Sequence, residues 1–261
     1  MNRIPTLLAA TLLLTAPPVL AQSGSEVARV TVLPGYVTEG GTHMAALRVT
    51  LAPGWKTYWR SPGDAGIPPL ISLSGGNVAT AAFHWPTPDV FDQNGMRSIG
   101  YHDSLVLPVE VTALDGGTGP LRLTGTMDIG VCQDICIPAQ LRFDGDLTPG
   151  PRDPAIIGAL LDQPQVAGHA TCRVTPQADG VRLDATLTLP PTGGAEALVI
   201  EAGDPQIWVS EPVIARQGGT LTATATMTRG SGQAIAFDRG AVRFTVLGQD
   251  RATEVRGCTA G

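Results

Sequence analysis

The sequence has little positive charge. Lys56 is its only lysine, and lysine and arginine together number 17 against 23 aspartates and glutamates, which gives a formal net charge of −6 at pH 7. A protein that binds nucleic-acid phosphates needs basic residues clustered on one face, and no run of lysine or arginine occurs here. We therefore expect no nucleic-acid partner.

Long hydrophobic runs are missing as well, except near the N-terminus. Residues 1–21 combine a basic start at Arg3, an apolar run from Leu7 to Leu14 and small residues before Gln22, which is typical of a secretory signal peptide cut after Ala21. That run is too short to span a bilayer, and no later segment approaches eighteen consecutive apolar residues. We expect an exported, soluble protein without direct membrane insertion.

Motifs for metal or nucleotide chemistry are also absent from the sequence. The four histidines (His43, His84, His102 and His169) are dispersed and lack the spacing of a ligand set. No Ser/His/Asp arrangement and no glycine-rich phosphate loop stands out. The sequence therefore predicts no cofactor and no metal site built from histidines.

Short alternating segments are abundant, separated by turns that use the 32 glycines and 22 prolines. Leu121 and Leu123 alternate with Arg122 and Thr124, which is the period of two expected of half-buried strands. Seven such segments precede residue 148 and a second strand-rich region follows residue 171. The pattern predicts an all-β protein with two β-sandwich domains, residues 22–149 and 171–261.

Between the two predicted sandwiches, at residues 150–170, the sequence pattern changes from that of strands to that of a helix. Asp153 can cap a helix and Pro154 suits the first helical position. An apolar stripe then runs from Ile156 to Leu161 and ends before Pro164. This segment is predicted to be a short helical linker.

Four cysteines in an exported protein favour disulfide pairing, and four allow three connectivities. Cys172 opens the second predicted sandwich and Cys258 closes it, so a bond between them would tie its first strand to its last. In the chain-entropy model this loop contributes about 4.6 kcal/mol, whereas a loop closed by Cys132 and Cys136 contributes about 2 kcal/mol. The long loop therefore indicates a structural disulfide, and the short loop indicates another role for its pair.

Cys132 and Cys136 lie in DIGVCQDICIPAQLRF, a segment otherwise typical of paired strands. Residues four apart in an extended strand are roughly 13 Å apart, whereas bonded cysteines need Cα atoms within about 7 Å. The chain must therefore turn back at residues 133–135, and a small exposed ring of this kind is typical of exchangeable disulfides. Two alternatives stay open on the residues alone: a structural hairpin clip, and a Cu(I) site built from the two soft thiolates.

Three blocks of the first predicted domain resemble a known family. They are LRVTLAPGWKTYWRSPGDAGIPP (47–69), WPTPDVFDQNGMRSIGYHDSLVLPVEV (85–111) and GVCQDICIPAQLRF (130–143). Together they resemble the periplasmic N-terminal domain of the bacterial transmembrane thiol:disulfide interchange reductases (DsbD-like). The two-sandwich version in the suppressor-of-copper-sensitivity branch is the most similar. The resemblance is strong for the first domain and architectural for the second, and it implies immunoglobulin-like sandwiches in the periplasm.

The resemblance also implies a role for each cysteine of the short loop. In the family a redox-active pair lies on adjacent strands, and the second cysteine, followed by one residue and a proline, forms the mixed disulfide with partners. In this sequence the second cysteine is Cys136, in CIP, which makes it the expected nucleophile. Cys132 is then the expected resolving thiol.

A cap over the pair is a further expectation from the resemblance. The family shields its cysteines with an aromatic cap loop, which makes Phe91 the candidate cap here and Asp89 or Asp92 the candidate acidic neighbours. An acidic group at this place can accept or donate a proton during exchange. Tyr58, in YWR, matches a family tyrosine near the site.

Positive charge close to the pair would activate its thiols, and the local sequence supplies little of it. Asp128 and Asp134 are near, whereas Arg142 is further away. We therefore expect a thiol that is not activated in the free protein and that reacts fast only when a partner docks.

In the family, the pair receives electrons from a membrane-embedded domain through a thioredoxin-like domain and passes them to oxidised periplasmic proteins. Neither of these domains is recognised in this chain, so we expect a separate membrane reductase as donor and oxidised periplasmic thiol proteins as acceptors. The predicted function is a thiol–disulfide interchange module, a protein-disulfide reductase. Two alternatives remain: a non-catalytic binding or assembly module whose cysteines form a clip, and a copper-handling protein.

Overall fold

The structure is a computed structural model that describes residues 24–64, 66–74, 76–93, 96–114, 119–230 and 234–261. The predicted signal peptide, residues 1–21, lies outside these ranges. Across the described ranges, no helix is both long enough and apolar enough to cross a membrane.

The first domain, in its described part, contains a four-residue helix and ten strands. The helix is α1 Gly24–Val27, and the strands are β1 Ala28–Val37, β2 His43–Leu51, β3 Lys56–Tyr58, β4 Leu70–Leu73, β5 Val78–Phe83, β6 Asp89–Gln93, β7 Met96–His102, β8 Ser104–Ala113, β9 Arg122–Cys132 and β10 Cys136–Asp146. They form one sheet in the order β1-β2-β8-β5 and a second in the order β10-β9-β3-β7-β6, with β4 also pairing with β9.

The core of this domain lies between the two sheets. Alternate residues of β9, among them Leu123, Met127 and Val131, are almost completely buried. Leu47 of β2 and Leu107 of β8 face them from the other sheet and are also fully buried. Burying a side chain of this size stabilises the fold by roughly 1.5–3 kcal/mol, so this alternation fixes which face of each strand turns inward.

The helical linker forms as predicted. Helix α2 spans Pro154–Leu161, and the Asp153 carboxylate accepts a hydrogen bond from the Ala155 N–H at 2.8 Å. This satisfies one of the free N–H groups of the first turn. Ile156 is fully buried against Met44 of β2, so the helix packs on the outer face of the first sandwich.

The second domain contains ten strands in the described part of the chain. They are β11 Gln165–Val166, β12 His169–Gln177, β13 Gly180–Thr188, β14 Ala197–Glu201, β15 Ile207–Val209, β16 Val213–Gln217, β17 Thr220–Arg229, β18 Arg243–Leu247, β19 Ala252–Arg256 and β20 Thr259–Ala260. One sheet has the order β11-β19-β18-β14 and the other the order β15-β17-β13-β12-β20, with β16 also pairing with β17. The prediction of an all-β fold with two sandwiches is thus confirmed.

The two sandwiches touch through apolar side chains. Four residues of the second domain belong to the hydrophobic cluster of the first: Ala197, Val199, Leu247 and Ala252. These residues come from β14, β18 and β19, which form one sheet. That sheet therefore lies against the first domain.

Strands β3, β6 and β7 lie where the sequence pattern predicts no strand. Strand β3 has only three residues, and all of them are buried, so it shows no alternation of apolar and polar residues. Strands β6 and β7 form an antiparallel pair in a segment that is rich in polar residues. These three strands are adjacent in the second sheet, next to β9, and they carry most of the candidate site.

Candidate functional site

The cysteine pair joins the end of β9 to the start of β10. Cys132 and Cys136 are directly opposite each other in the antiparallel ladder, form a disulfide, and have Cα atoms 4.1 Å apart. Residues 133–135 make the turn between them. Cys132 is 1% exposed, whereas Cys136 is an exposed residue, so a partner can approach Cys136 more readily than Cys132.

Tyr58 contacts both sulfurs. Its hydroxyl oxygen lies 2.9 Å from the Sγ of Cys132 and 3.3 Å from the Sγ of Cys136. Burial raises the pKa of the Tyr58 hydroxyl, so the group keeps its proton at neutral pH and can donate it in a hydrogen bond to sulfur. The resemblance placed this tyrosine near the site, and the structure places it in contact.

A glycine makes room for this tyrosine. A Cβ added at Gly130 of β9 would lie 3.1 Å from the Tyr58 ring and 2.9 Å from the Ile67 side chain. Because Gly130 has no side chain, the ring can lie across β9 next to the disulfide, with Ile67 beside it. A larger residue at this position would push Tyr58 off the sulfurs.

Lys56 belongs to the site, although the local sequence gives no sign of it. It is opposite Cys132 in the β3–β9 ladder and opposite His102 in the β3–β7 ladder. Its Nζ lies 3.5 Å from the Oγ of Ser98 and 4.8 Å from the centre of the Phe91 ring. The side chain is buried, which lowers the pKa of its ammonium group. The local sequence supplies little positive charge near the pair, and the fold adds this ammonium from a neighbouring strand.

Phe91, the candidate cap, reaches the site from β6. Its ring meets the His102 ring edge-on, with centroids 4.8 Å apart, and its face carries the Lys56 ammonium. Opposite residues of paired strands share a face of the sheet. One face therefore carries residue 132 of β9, residues 56 and 58 of β3, residues 98, 100 and 102 of β7, and residues 89 and 91 of β6. Cys136 is nevertheless exposed, so Phe91 does not seal it from solvent.

The two candidate acidic neighbours lie on opposite faces of β6. Asp89 shares the face of the sulfurs, and its Oδ2 lies 3.5 Å from the Nε2 of His102. Asp92 lies on the other face, where its Oδ1 is 3.8 Å from the Nε of Arg97. Asp89 therefore shares a face of the sheet with the cysteines, in the row of Gly100 and Tyr58, and Asp92 does not.

Arg60, two residues after Tyr58, connects the site to the second domain. Its guanidinium donates to both oxygens of Glu201 at 2.9 Å and to Glu254 at 3.0 Å, and it lies over the ring of Trp59. A cleft between the domains adjoins this contact and is lined by residues 60–64, 66, 68 and 200–209. Sequence reasoning missed this link because it joins residues that are more than 140 positions apart.

The other two cysteines form a disulfide in the second domain. Cys172 of β12 and Cys258 have Cα atoms 5.8 Å apart, and Cys172 is 1% exposed. Arg239 donates a hydrogen bond to the backbone oxygen of Cys172 at 2.8 Å and lies 2.9 Å from its Sγ. This disulfide closes a long loop and its first sulfur is buried, which is the arrangement expected of a structural bond.

Within the described ranges, no group of three or more His, Cys, Asp or Glu side chains is placed so that it could hold a metal ion. The reactive atoms of the site are the two sulfurs of the disulfide. An exposed and a buried sulfur share one disulfide and one hydroxyl donor, and an ammonium lies on the next strand. This arrangement suits thiol–disulfide exchange.

The first domain thus carries a disulfide across two adjacent strands of a β-sandwich. Residues 26–147 match the family described as thiol:disulfide interchange protein DsbD, N-terminal. The matched range contains both cysteines, Tyr58 and Phe91, so the family resemblance is confirmed for the first domain.

The chain is also similar to a solved structure, the N-terminal periplasmic domain of ScsB from Proteus mirabilis. The TM-score is 0.65 at 25% sequence identity, over 90% of this chain and 92% of that one. No curated protein gives a significant sequence match. The similarity to ScsB extends over both sandwiches and confirms the resemblance to the suppressor-of-copper-sensitivity branch.

Proposed function

We propose that the protein is a periplasmic thiol–disulfide interchange module that cycles Cys132 and Cys136 between dithiol and disulfide. One observation carries the proposal: an exposed sulfur is bonded to a buried one across two strands, and one tyrosine hydroxyl contacts both. The family of the first domain and the ScsB domain that resembles the whole chain support the same chemistry.

The exchange starts with the reduced pair. The Cys136 thiolate attacks one sulfur of a partner's disulfide, which forms a mixed disulfide and releases the partner's other sulfur as a thiolate. Cys132, as a thiolate, then attacks the Sγ of Cys136 and expels the partner's second sulfur. Two electrons have moved to the partner, which takes up two protons to become a dithiol, and the Cys132–Cys136 disulfide is restored.

The exposure of the two sulfurs supports this division of roles. Only Cys136 is open to an incoming disulfide, so it is the nucleophile, and the buried Cys132 is the resolving thiol. Asp89 is the carboxylate placed to exchange protons on the sulfur face, through its contact with His102. Phe91 narrows the approach to the pair from the β6 side.

Regeneration needs a dithiol donor, because each cycle leaves the pair oxidised. A thioredoxin-like dithiol, reduced in turn by a membrane-embedded reductase, would transfer two electrons to the Cys132–Cys136 disulfide and become a disulfide itself. In this direction of flow the protein is a protein-disulfide reductase that acts on oxidised periplasmic thiol proteins.

The test uses two defined reagents and two matched variants. Reduced Cys132→Ser protein is incubated with glutathione disulfide and should form a stable glutathione adduct at Cys136, whereas Cys136→Ser protein should react far more slowly because Cys132 is buried. Wild-type protein should form the adduct, release glutathione and recover its own disulfide, which reduced thioredoxin should then reduce. Equal reactivity of the two variants, or a wild-type disulfide that thioredoxin cannot reduce, would overturn the proposal in favour of a structural clip.

A further inference from the structure

The only lysine of the sequence is buried in the candidate site. Lys56 is 9% exposed, although an ammonium group is ordinarily left in water because its desolvation is costly. Burial also lowers the pKa of this ammonium, which means that the surroundings disfavour its charge. In the disulfide form the surroundings of Lys56 disfavour its positive charge, which suggests that this charge has its function in the reduced form of the pair.

The ladder places Lys56 within reach of the resolving sulfur. Lys56 and Cys132 are directly opposite each other on β3 and β9, and directly opposite residues have Cβ atoms about 4.5–5.5 Å apart on the same face. The four-carbon stem of lysine is flexible and has about that length. The ammonium can therefore swing from its present position to the Sγ of Cys132 without movement of either strand.

In the oxidised protein the ammonium rests elsewhere. It lies 4.8 Å from the centre of the Phe91 ring, on its face, and 3.5 Å from the Oγ of Ser98. A ring face attracts a cation, so this contact holds both the ammonium and the candidate cap in place. A neutral disulfide offers no charge to compete with the ring, whereas a thiolate does.

We propose that Lys56 is the electrostatic partner of the Cys132 thiolate, held on the Phe91 ring while the pair is a disulfide and drawn to sulfur when Cys132 is free. The inference rests on the proposed function, in which Cys132 must be deprotonated to resolve the mixed disulfide.

Other groups on the same face do not supply this charge. The titratable and charged groups on the face of the pair are Tyr58 and Lys56 on β3, His102 on β7, Asp89 on β6 and Asp128 on β9, with Asp134 in the exposed turn. Arg142 of β10 is on this face too, but it lies six residues along the strand from Cys136, roughly 20 Å away. The negative charges of the three carboxylates disfavour a thiolate, and His102 lies beside Asp89. Lys56 is therefore the cation that the fold places opposite Cys132.

The test measures the pKa of the Cys132 thiol directly, by thiolate absorbance near 240 nm against pH in Cys136→Ser protein. Adding Lys56→Met should raise this pKa by about one unit or more, and Lys56→Arg should largely restore it. Adding Phe91→Leu instead, which keeps the lysine and removes the ring, should lower the pKa. An unchanged pKa in the methionine variant, or methionine and arginine variants that behave alike, would overturn the proposal.

A second measurement separates this inference from the proposed function. With both cysteines present, Lys56→Met should slow the release of glutathione several-fold relative to the attack of Cys136 on glutathione disulfide, because less Cys132 is ionised. If the pKa shifts but no exchange occurs with any reagent, Lys56 has its role and the proposed function fails. If exchange occurs and both the pKa and the release step are unaffected, the inference alone fails.

Discussion

The hydroxyl oxygen of Tyr58 lies 2.9 Å from the Sγ of Cys132 and 3.3 Å from the Sγ of Cys136, so one buried side chain serves both sulfurs. A hydroxyl that keeps its proton is a better donor to a thiolate than to a disulfide, because hydrogen bonds to charged groups are roughly twice as strong. The tyrosine therefore favours the reduced, ionised state of the pair.

Replacing Tyr58 by phenylalanine should slow the reaction of the reduced cysteines with an alkylating reagent. A hydrogen bond to a charged group contributes about 1.5–3 kcal/mol, so its loss should raise the thiol pKa of the reactive cysteine by at least about one unit. The measurement is the rate of alkylation by iodoacetamide against pH. The matched control is Tyr101→Phe, which loses a hydroxyl bonded to the Pro86 carbonyl on the core side of the sheet. Equal alkylation profiles for the two variants would contradict the role of Tyr58.

The Arg60 contact should stabilise the whole chain. Arg60→Met leaves Glu201 without its guanidinium partner and removes one of the partners of Glu254, whose side chain is 6% exposed. Removing one member of such a buried group costs about 2 kcal/mol or more, which urea unfolding would measure.

The control for this change is Arg182→Met, which breaks an exposed pair with Asp184. Exposed pairs contribute little, so this variant should lose less than about 1 kcal/mol. If both variants lose the same small amount, the contact between the domains is not a stabilising one.

Lys56 should cost the folded protein stability at neutral pH. Because burial lowers its pKa below the ordinary lysine value of 10.5, the unfolded chain binds more protons than the folded one between the two pKa values, and stability rises with pH across that window. Lys56→Met should therefore raise the free energy of unfolding at pH 7, and the gain should shrink as pH approaches 10.5. A gain that does not change with pH would show that the lysine is not desolvated.

The second disulfide should stabilise the protein without taking part in exchange. Replacing Cys172 and Cys258 together by alanine removes the constraint of a long loop and should cost about 3–5 kcal/mol. The glutathione reaction of Cys136 should keep its rate in buffer where the variant is folded. A variant that unfolds like the wild type, or that loses exchange while folded, would contradict a purely structural role.

The sequence was sufficient to predict the fold class, because apolar alternation marks most long strands and Asp153 and Pro154 mark the start of the linker helix. It was also sufficient to single out the cysteine pair, since spacing and strand geometry alone require a turn at residues 133–135. The family blocks then named Tyr58, Phe91 and Asp89, all of which the structure places on the face of the sulfurs.

What the sequence could not supply was register between distant strands. Strand β3 is three residues long and wholly buried, so its sequence shows no alternation of apolar and polar residues that would predict a strand. Without β3 there is no reason to place Lys56 opposite Cys132, 76 positions later, and the local charge around the pair suggests a site without a cation. The strand assignment also decides which carboxylate faces the sulfurs. Odd-numbered and even-numbered residues of β6 face opposite sides of the sheet, so Asp89 and Asp92 lie on different faces.

The reduction potential of the Cys132–Cys136 disulfide tests the central claim most directly. The measurement equilibrates the protein with glutathione buffers of known ratio and counts free thiols, with Cys172→Ala/Cys258→Ala protein as a control that isolates the pair. An exchange module should give a value between about −120 and −270 mV, the range of proteins that pass disulfides on. A value below about −300 mV, typical of structural disulfides, would contradict the account and leave the pair as a clip.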